Sequence, residues 1–138
     1  MSLEINKDRY DSLPKIVKQM CNYGALITGS TAVWLLGQTD KQSDIDMVVP
    51  VKRWNHVYKG CLKDLPNKTL GGYWGHIGFT VDDREFDVWP ADMWDYIQMA
   101  EKNNNPIVVI DINKSKVYSK ESFVFEKNMV REDEEIPF

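Results

Sequence analysis

The chain is poor in cysteine, and this shortage excludes two classes of small protein. Its 138 residues include two cysteines, Cys21 and Cys61, which lie far apart and form no C-x-x-C pair. Neither a disulfide framework nor a thiolate zinc site is therefore indicated. His56 and His76 do not change this, because their spacing to the cysteines fits no common zinc pattern.

Long apolar runs and excess positive charge are also missing. No run approaches the ~20 apolar residues that a membrane span needs, and no basic start with an apolar core marks a signal peptide. Lysine and arginine number 17 against 21 acidic residues, which gives a net charge of -4 and a pI near 5.2. A general nucleic-acid-binding surface is normally basic. We therefore expect a cytoplasmic protein without membrane contact and without a strong general nucleic-acid surface.

Apolar residues are plentiful enough for one compact core. The sequence is 43% hydrophobic and contains five tryptophans, and its length suits about one domain. We predict a single domain over residues 1–130. Residues 131–138 contain a mostly acidic run and are expected to form a flexible tail.

Apolar spacing and turn residues predict an alternation of helices and strands. A helix is expected to begin at Ser12 as N-cap, with Pro14 in its first turn, and to end by Gly24. The other predicted helices span 31–36, 50–65 and 91–100. The predicted strands span 25–28, 44–49, 76–81, 85–89 and 107–112, with a hairpin turn at 82–84 and a loop at 103–106. This order predicts an α/β fold in which helices cover a mixed parallel and antiparallel sheet.

A glycine turn and two spaced carboxylates are the strongest chemical signal in the chain. Gly29 and Ser30 follow the first predicted strand, and Asp44 and Asp46 lie on the second. Side chains alternate along a strand, so the two aspartates are expected to share one face while Ile45 points into the core. Carboxylates this close repel each other, which indicates a nearby cation. Gly29 alone could merely mark the entry to a helix.

A third carboxylate extends the pattern. Asp87 lies on the predicted strand 85–89, with Phe86 and Val88 on its opposite face. If this strand neighbours the one carrying Asp44 and Asp46, three oxygen ligands converge. Such donors suit magnesium. Two ions roughly 3.5–4 Å apart would then support an in-line phosphoryl displacement, while the Gly29 turn and the amides of the next helix would receive a phosphate.

These residues resemble the signature of the nucleotidyltransferase superfamily that includes DNA polymerase beta. The similarity covers roughly residues 24–89: an apolar run before Gly29-Ser30, then Asp44-Ile45-Asp46, then Asp87 on a later strand. It implies transfer of a nucleoside monophosphate from a nucleoside triphosphate such as ATP to a hydroxyl or phosphate acceptor. The uncharged helix after Ser30 resembles the small antibiotic-modifying and toxin-type members more than the polymerases.

The resemblance also implies roles for individual residues. Asp44 and Asp46 would ligate two Mg²⁺ ions, which Mn²⁺ could replace. Asp87 would ligate the catalytic ion and take the acceptor's proton. Gly29 and Ser30 would cradle the phosphates. The acceptor is expected to be small or to be held by a partner chain that supplies an acceptor-binding domain.

Several alternatives remain open at this level. Lys41, placed closest before Asp44, is the best candidate for a triphosphate contact, and Lys52, Arg53 and Arg84 are weaker ones; each could equally be a solvated surface charge. The aromatic residues that could stack on a base, rather than fill the core, are Tyr73, Trp74, Trp89 and Trp94. A catalytically silent module that binds nucleotide or a partner protein, as an antitoxin or a scaffold, is the alternative function.

Overall fold

The computed structural model describes residues 4–70, 76–90, 102 and 108–118. In these ranges seven strands form one sheet: β1 (Leu26–Thr28), β2 (Ile45–Val49), β3 (Thr69–Leu70), β4 (Ile77–Val81), β5 (Arg84–Pro90), β6 (Val109–Asp111) and β7 (Lys116–Tyr118). Their spatial order is β3-β4-β5-β2-β1-β6-β7. The β2–β5 pair is parallel, and the other neighbours are antiparallel. The predicted α/β class with a mixed sheet is confirmed.

Helical segments connect these strands within the described ranges. They are α1 (Lys7–Asp11), α2 (Lys15–Asn22), α3 (Gly29–Leu35) and α4 (Trp54–Val57), which is preceded by a 3₁₀ turn (Val51–Arg53) and followed by a π turn (Tyr58–Leu62). In this part of the chain no helix is both long and apolar enough to cross a bilayer.

One face of the sheet packs against the helices and forms the core. Buried helix residues such as Met20, Leu35 and Leu62 join a single cluster with Met47 and Phe86 of the central strands. The cluster follows the period-two alternation of the strands, because each inward residue is followed by one that points to the opposite face. The opposite face carries the polar strand residues together with some buried apolar ones, such as Val48.

The predicted helices needed correction at their ends. Ser12 does not start α2. Its hydroxyl donates to the Arg9 carbonyl at 2.7 Å, so it closes α1, a short helix that the apolar pattern did not reveal. Pro14 is the N-cap of α2. The helix predicted at 31–36 begins two residues earlier, at Gly29. The helix predicted at 50–65 ends at Leu62 and changes its turn type on the way.

The predicted strands were largely found, and two were missed. β1 and β2 each begin one residue later than predicted, and the hairpin of β4 and β5 is confirmed. β6 lies inside the predicted strand at 107–112. β3 and β7 were missed because they are two and three residues long. The predicted helix at 91–100, the loop at 103–106 and the acidic tail lie outside the described residues.

Candidate functional site

Asp46 and Asp87 lie side by side at the centre of the sheet. They are direct register partners across the parallel strands β2 and β5. Partners in register point to the same face, so both carboxylates leave the sheet on the face away from the helices. Ile45 and Phe86, which are also partners, are buried on the core face. The strand that carries Asp46 and the strand that carries Asp87 are therefore neighbours, as the three-carboxylate prediction required.

Gly29 packs directly against the Asp46 carboxylate. It begins α3 immediately after Thr28, which is the antiparallel partner of Asp46 on β1. Its φ is +65°, a left-handed backbone conformation that favours glycine. A Cβ at this position would lie 2.8 Å from Asp46 Oδ2. The glycine therefore provides both the turn into the helix and the space that the carboxylate occupies.

Asp44 is placed less firmly than the other two aspartates. It lies one residue before β2, and its side chain is exposed. Its backbone carbonyl accepts a hydrogen bond from the Thr31 hydroxyl at 3.4 Å. Because the strand begins only at Ile45, strand alternation does not by itself fix the face of Asp44, and its placement beside Asp46 stays a prediction.

Burial and neighbouring charge make Asp46 hard to ionise. Burial contributes most to raising its pKa from 3.8 to about 6, followed by the charges of Asp87 and Asp44. All three carboxylates are thus close enough to interact electrostatically. A cation beside Asp46 would relieve this repulsion.

The described residues do not by themselves enclose a metal ion. Within residues 4–70, 76–90, 102 and 108–118, no three histidine, cysteine, aspartate or glutamate side chains are grouped closely enough to hold one. Asp46 and Asp87 form a pair, and Asp44 lies at its edge. Magnesium commonly takes one or two protein carboxylates and completes its shell with waters and substrate phosphates, so this pair suits such an ion.

The loop before β2 is fastened to the start of α3 and to β5. The Ser30 and Ser43 hydroxyls are hydrogen-bonded to each other. Arg84 donates to the Gln42 side chain at 2.8 Å and to the Ser43 carbonyl at 3.1 Å. The Arg84 side chain thus holds this loop in place through hydrogen bonds, and Ser30 lies next to the loop. Lys41 is exposed at the outer end of the same loop.

Two other basic candidates lie away from the carboxylates. Lys52 and Arg53 are exposed on the 3₁₀ turn after β2. The Arg53 stem packs against Gly24, which precedes β1, whereas Gly29 follows it. These two residues therefore lie towards the opposite end of the strand from the Gly29 turn.

His76 is a neighbour of the carboxylates that the sequence pattern did not single out as part of this site. Its Nε2 lies 3.7 Å from Asp87 Oδ1, and its ring stacks on Trp89 with centroids 4.0 Å apart. Its Nδ1 is buried and has no hydrogen-bond partner among the residues that the structure describes. A lone histidine before a strand gives no local signal of such a contact, since the contact depends on the β4–β5 register. Tyr73, Trp74 and Trp94 lie outside the described residues.

The cysteines have the character of structural thiols. Burial raises the pKa of Cys21 to about 12, with smaller contributions from Asp111 and Cys61. Burial also raises the pKa of Cys61. Such thiols ionise reluctantly, which makes them poor metal ligands and poor nucleophiles.

Comparisons with known proteins give this chain no family. No protein-family model, curated protein or solved structure matches it.

Proposed function

We propose that this chain is a metal-dependent nucleotidyltransferase, which moves a nucleoside monophosphate from a nucleoside triphosphate to a hydroxyl or phosphate acceptor and releases pyrophosphate. The observation that carries the proposal is the pairing of Asp46 and Asp87 across parallel strands, with Gly29 against the Asp46 carboxylate. The same residues take part in the superfamily resemblance. The proposal thus has two supports, one from motif spacing and one from strand register.

Asp46 and Asp87 would hold magnesium, with Asp44 as a further ligand from the adjoining loop. When bound, the metal would neutralise charge on the transferring phosphate and align the attacking and leaving oxygens. The Asp87 side chain is 38% exposed, whereas the Asp46 carboxylate packs against Gly29 and its burial raises its pKa. Asp87 is therefore the carboxylate that an acceptor hydroxyl could reach, and we assign it the acceptor's proton.

The start of α3 would receive the triphosphate. Gly29 permits the turn that brings the first amides of α3 beside the Asp46 carboxylate. Ser30 lies in this first turn, and its hydroxyl, which is paired with that of Ser43, would have to exchange this partner for a phosphate oxygen. Lys41 is exposed on the neighbouring loop and would supply a cation. We assign Arg84 to loop positioning instead, because its guanidinium already donates to Gln42 and Ser43.

We place the reaction in the cytoplasm, and the acceptor is left unidentified. A partner chain that supplies an acceptor-binding domain would complete the site, or the acceptor would be small enough to need none. Protein hydroxyl groups and free nucleotides are the first acceptors to test in the transfer assay.

The test is a transfer assay with labelled nucleoside triphosphates, Mg²⁺ and a panel of acceptors that includes the protein itself. Asp46→Asn is expected to abolish transfer, and Asp82→Asn is the matched control because that carboxylate is exposed in the β4–β5 turn. Equal transfer by the native chain and Asp46→Asn would contradict the proposal.

One observation favours a catalytically silent alternative. Helix α3 contains no basic residue, so it offers a triphosphate no side-chain cation, and a module that binds a partner protein would not need one. Calorimetry with Mg²⁺ and a nonhydrolysable triphosphate separates the two functions. Binding without turnover on any acceptor favours the silent module, whereas turnover that depends on Asp46 excludes it.

A further inference from the structure

A small polar pocket lies at the end of β1 opposite the carboxylates. Its volume is about 180 Å³, and it is lined by Asn22, Tyr23, Gly24, Arg53, His56 and Asn113. Gly24 precedes β1 and Gly29 follows it, and strands rise about 3.3 Å per residue. The pocket is therefore separate from the Asp46 and Asp87 site.

The lining is rich in groups that can donate a hydrogen bond, and none of these six described residues is acidic. Arg53 contributes a permanently charged guanidinium with five N–H donors. His56, Tyr23 and the two asparagine amides add donors around it. The nearby Asp111 carboxylate is outside the lining, and it accepts a hydrogen bond from the Lys114 amide at 3.1 Å. In a chain with a net charge of -4, this is a local site for an anion.

Packing holds several of these donors in position. The Arg53 stem passes close to Gly24, where a Cβ would meet Arg53 Cγ at 3.0 Å, and the φ of Gly24 is +108°. The Tyr23 ring rests on Gly60, whose added Cβ would lie 2.7 Å from Tyr23 Cζ. Asn113 Nδ2 donates to the Cys21 carbonyl at 2.6 Å. Two glycines and one hydrogen bond thus shape the pocket before any ligand arrives.

Arg53 is also free to bind. Among the described residues, the Arg53 side chain has no hydrogen bond and no acidic partner within ion-pair distance. Guanidinium groups match the geometry of phosphate oxygens and bind them through charge-assisted hydrogen bonds.

We propose that the pocket bounded by Arg53, His56 and Asn113 binds a phosphate group, either as free phosphate or as a phosphate monoester. This site is independent of the proposed nucleotidyltransferase activity. It could hold the phosphate of a ligand while the carboxylate site remains open.

The test follows backbone amide shifts of the full chain while inorganic phosphate or methyl phosphate is added, with chloride at equal ionic strength as the reference. Saturable shifts at Asn22, Gly24 and Asn113 are expected with both probes. The probe that binds more tightly identifies the free or the esterified form as the preferred ligand.

Two substitutions make the assignment specific. Arg53→Gln should weaken binding about ten- to a hundredfold, since it removes a charge-assisted hydrogen bond. Asn22→Asp places a negative charge, which repels phosphate, at an exposed position of the pocket. It should weaken phosphate binding to a similar extent without loss of folding. Lys52→Gln is the matched control, because Lys52 is exposed one residue away and does not line the pocket.

The proposal is overturned if the pocket amides show no saturable shifts, or if the shifts centre on Gly29 and Ser30 instead. It is also overturned if Arg53→Gln and Asn22→Asp both bind phosphate as tightly as the native chain. Neither result depends on transfer activity.

Discussion

At the scale of single residues, Asp46 carries its charge where burial and two neighbouring carboxylates oppose it. Its pKa is raised to about 6, so at neutral pH the folded chain holds an ionised group in an unfavourable place. All four other residues of β2 are apolar and buried, so the packing of this strand does not require a carboxylate at position 46. A destabilising charge on a central strand is typical of a binding or catalytic site.

Because the ionised Asp46 carboxylate lowers the stability of the fold, we predict that Asp46→Asn stabilises the metal-free protein. When the pKa of a carboxyl is higher in the folded than in the unfolded state, the free energy of unfolding falls as the pH rises, here from 3.8 through about 6. Asparagine does not ionise, so above pH 6 the variant should be more stable by up to about 3 kcal/mol. The advantage should shrink near pH 4. Thermal unfolding in a metal chelator at both pH values measures it.

Glu85→Gln is the control for this prediction. Glu85 lies on β5 two residues before Asp87 and is exposed, so its substitution should change stability little at either pH. An Asp46→Asn variant that is no more stable than the native chain above pH 6 would contradict the electrostatic account of the pair.

Gly29 is predicted to tolerate no side chain, and Gly37 offers a matched comparison. Both have a positive φ, +65° and +73°, but a Cβ on Gly37 would meet nothing within 4 Å. Gly37→Ala should therefore cost only the left-handed strain, about 1–2 kcal/mol. Gly29→Ala should cost more, because it also displaces the Asp46 carboxylate. Chemical denaturation of the two variants compares these costs, and equal losses would argue against the close approach.

At the scale of elements, the β4–β5 hairpin shows how a turn is made without its preferred residues. Asp82 and Asp83 both have positive φ, 52° and 62°, which is the backbone of a type I′ turn. Glycine adopts this conformation without strain, and the second position favours it most.

Asp83→Gly is therefore expected to stabilise the fold by about 1 kcal/mol. It removes left-handed strain and one of two adjacent negative charges. Asp64→Gly is the control, since Asp64 is also an exposed turn aspartate but is not among the positive-φ residues. That change should be neutral or destabilising. Urea unfolding measures both, and a destabilised Asp83→Gly variant would refute the turn assignment.

The elements also show what the sequence could and could not predict. Alternation in Phe86-Asp87-Val88 predicted the β5 strand and its buried face correctly, because the period-two pattern is strong there. Ser12 was misassigned because a serine beside a proline resembles a helix start, yet its hydroxyl closes the preceding helix. β3 and β7 are too short to show a period, and they depend on pairing with longer neighbours.

At the scale of the whole molecule, the helix-packed core and the paired carboxylates lie on opposite faces of the sheet. The described helices pack on one face with the apolar strand residues, and Asp46 and Asp87 lie on the other. The sequence pattern predicted that Asp87 would join Asp44 and Asp46 if the two strands were neighbours. It did not predict that β2 and β5 align Asp46 directly with Asp87, because register depends on pairing between distant segments. The His76 contact follows from the same register and was missed for the same reason.

The most direct test of the account is to add Mn²⁺ to the protein and map paramagnetic broadening of its backbone amide signals. Manganese can stand in for magnesium at an oxygen-ligand site. We expect the broadening to concentrate around Thr28, Asp46 and Asp87 and to disappear from them in Asp46→Asn. Broadening that centres on the exposed Asp82 and Asp83 turn, or that Asp46→Asn leaves unchanged, would contradict the central claim that the paired carboxylates form a metal site.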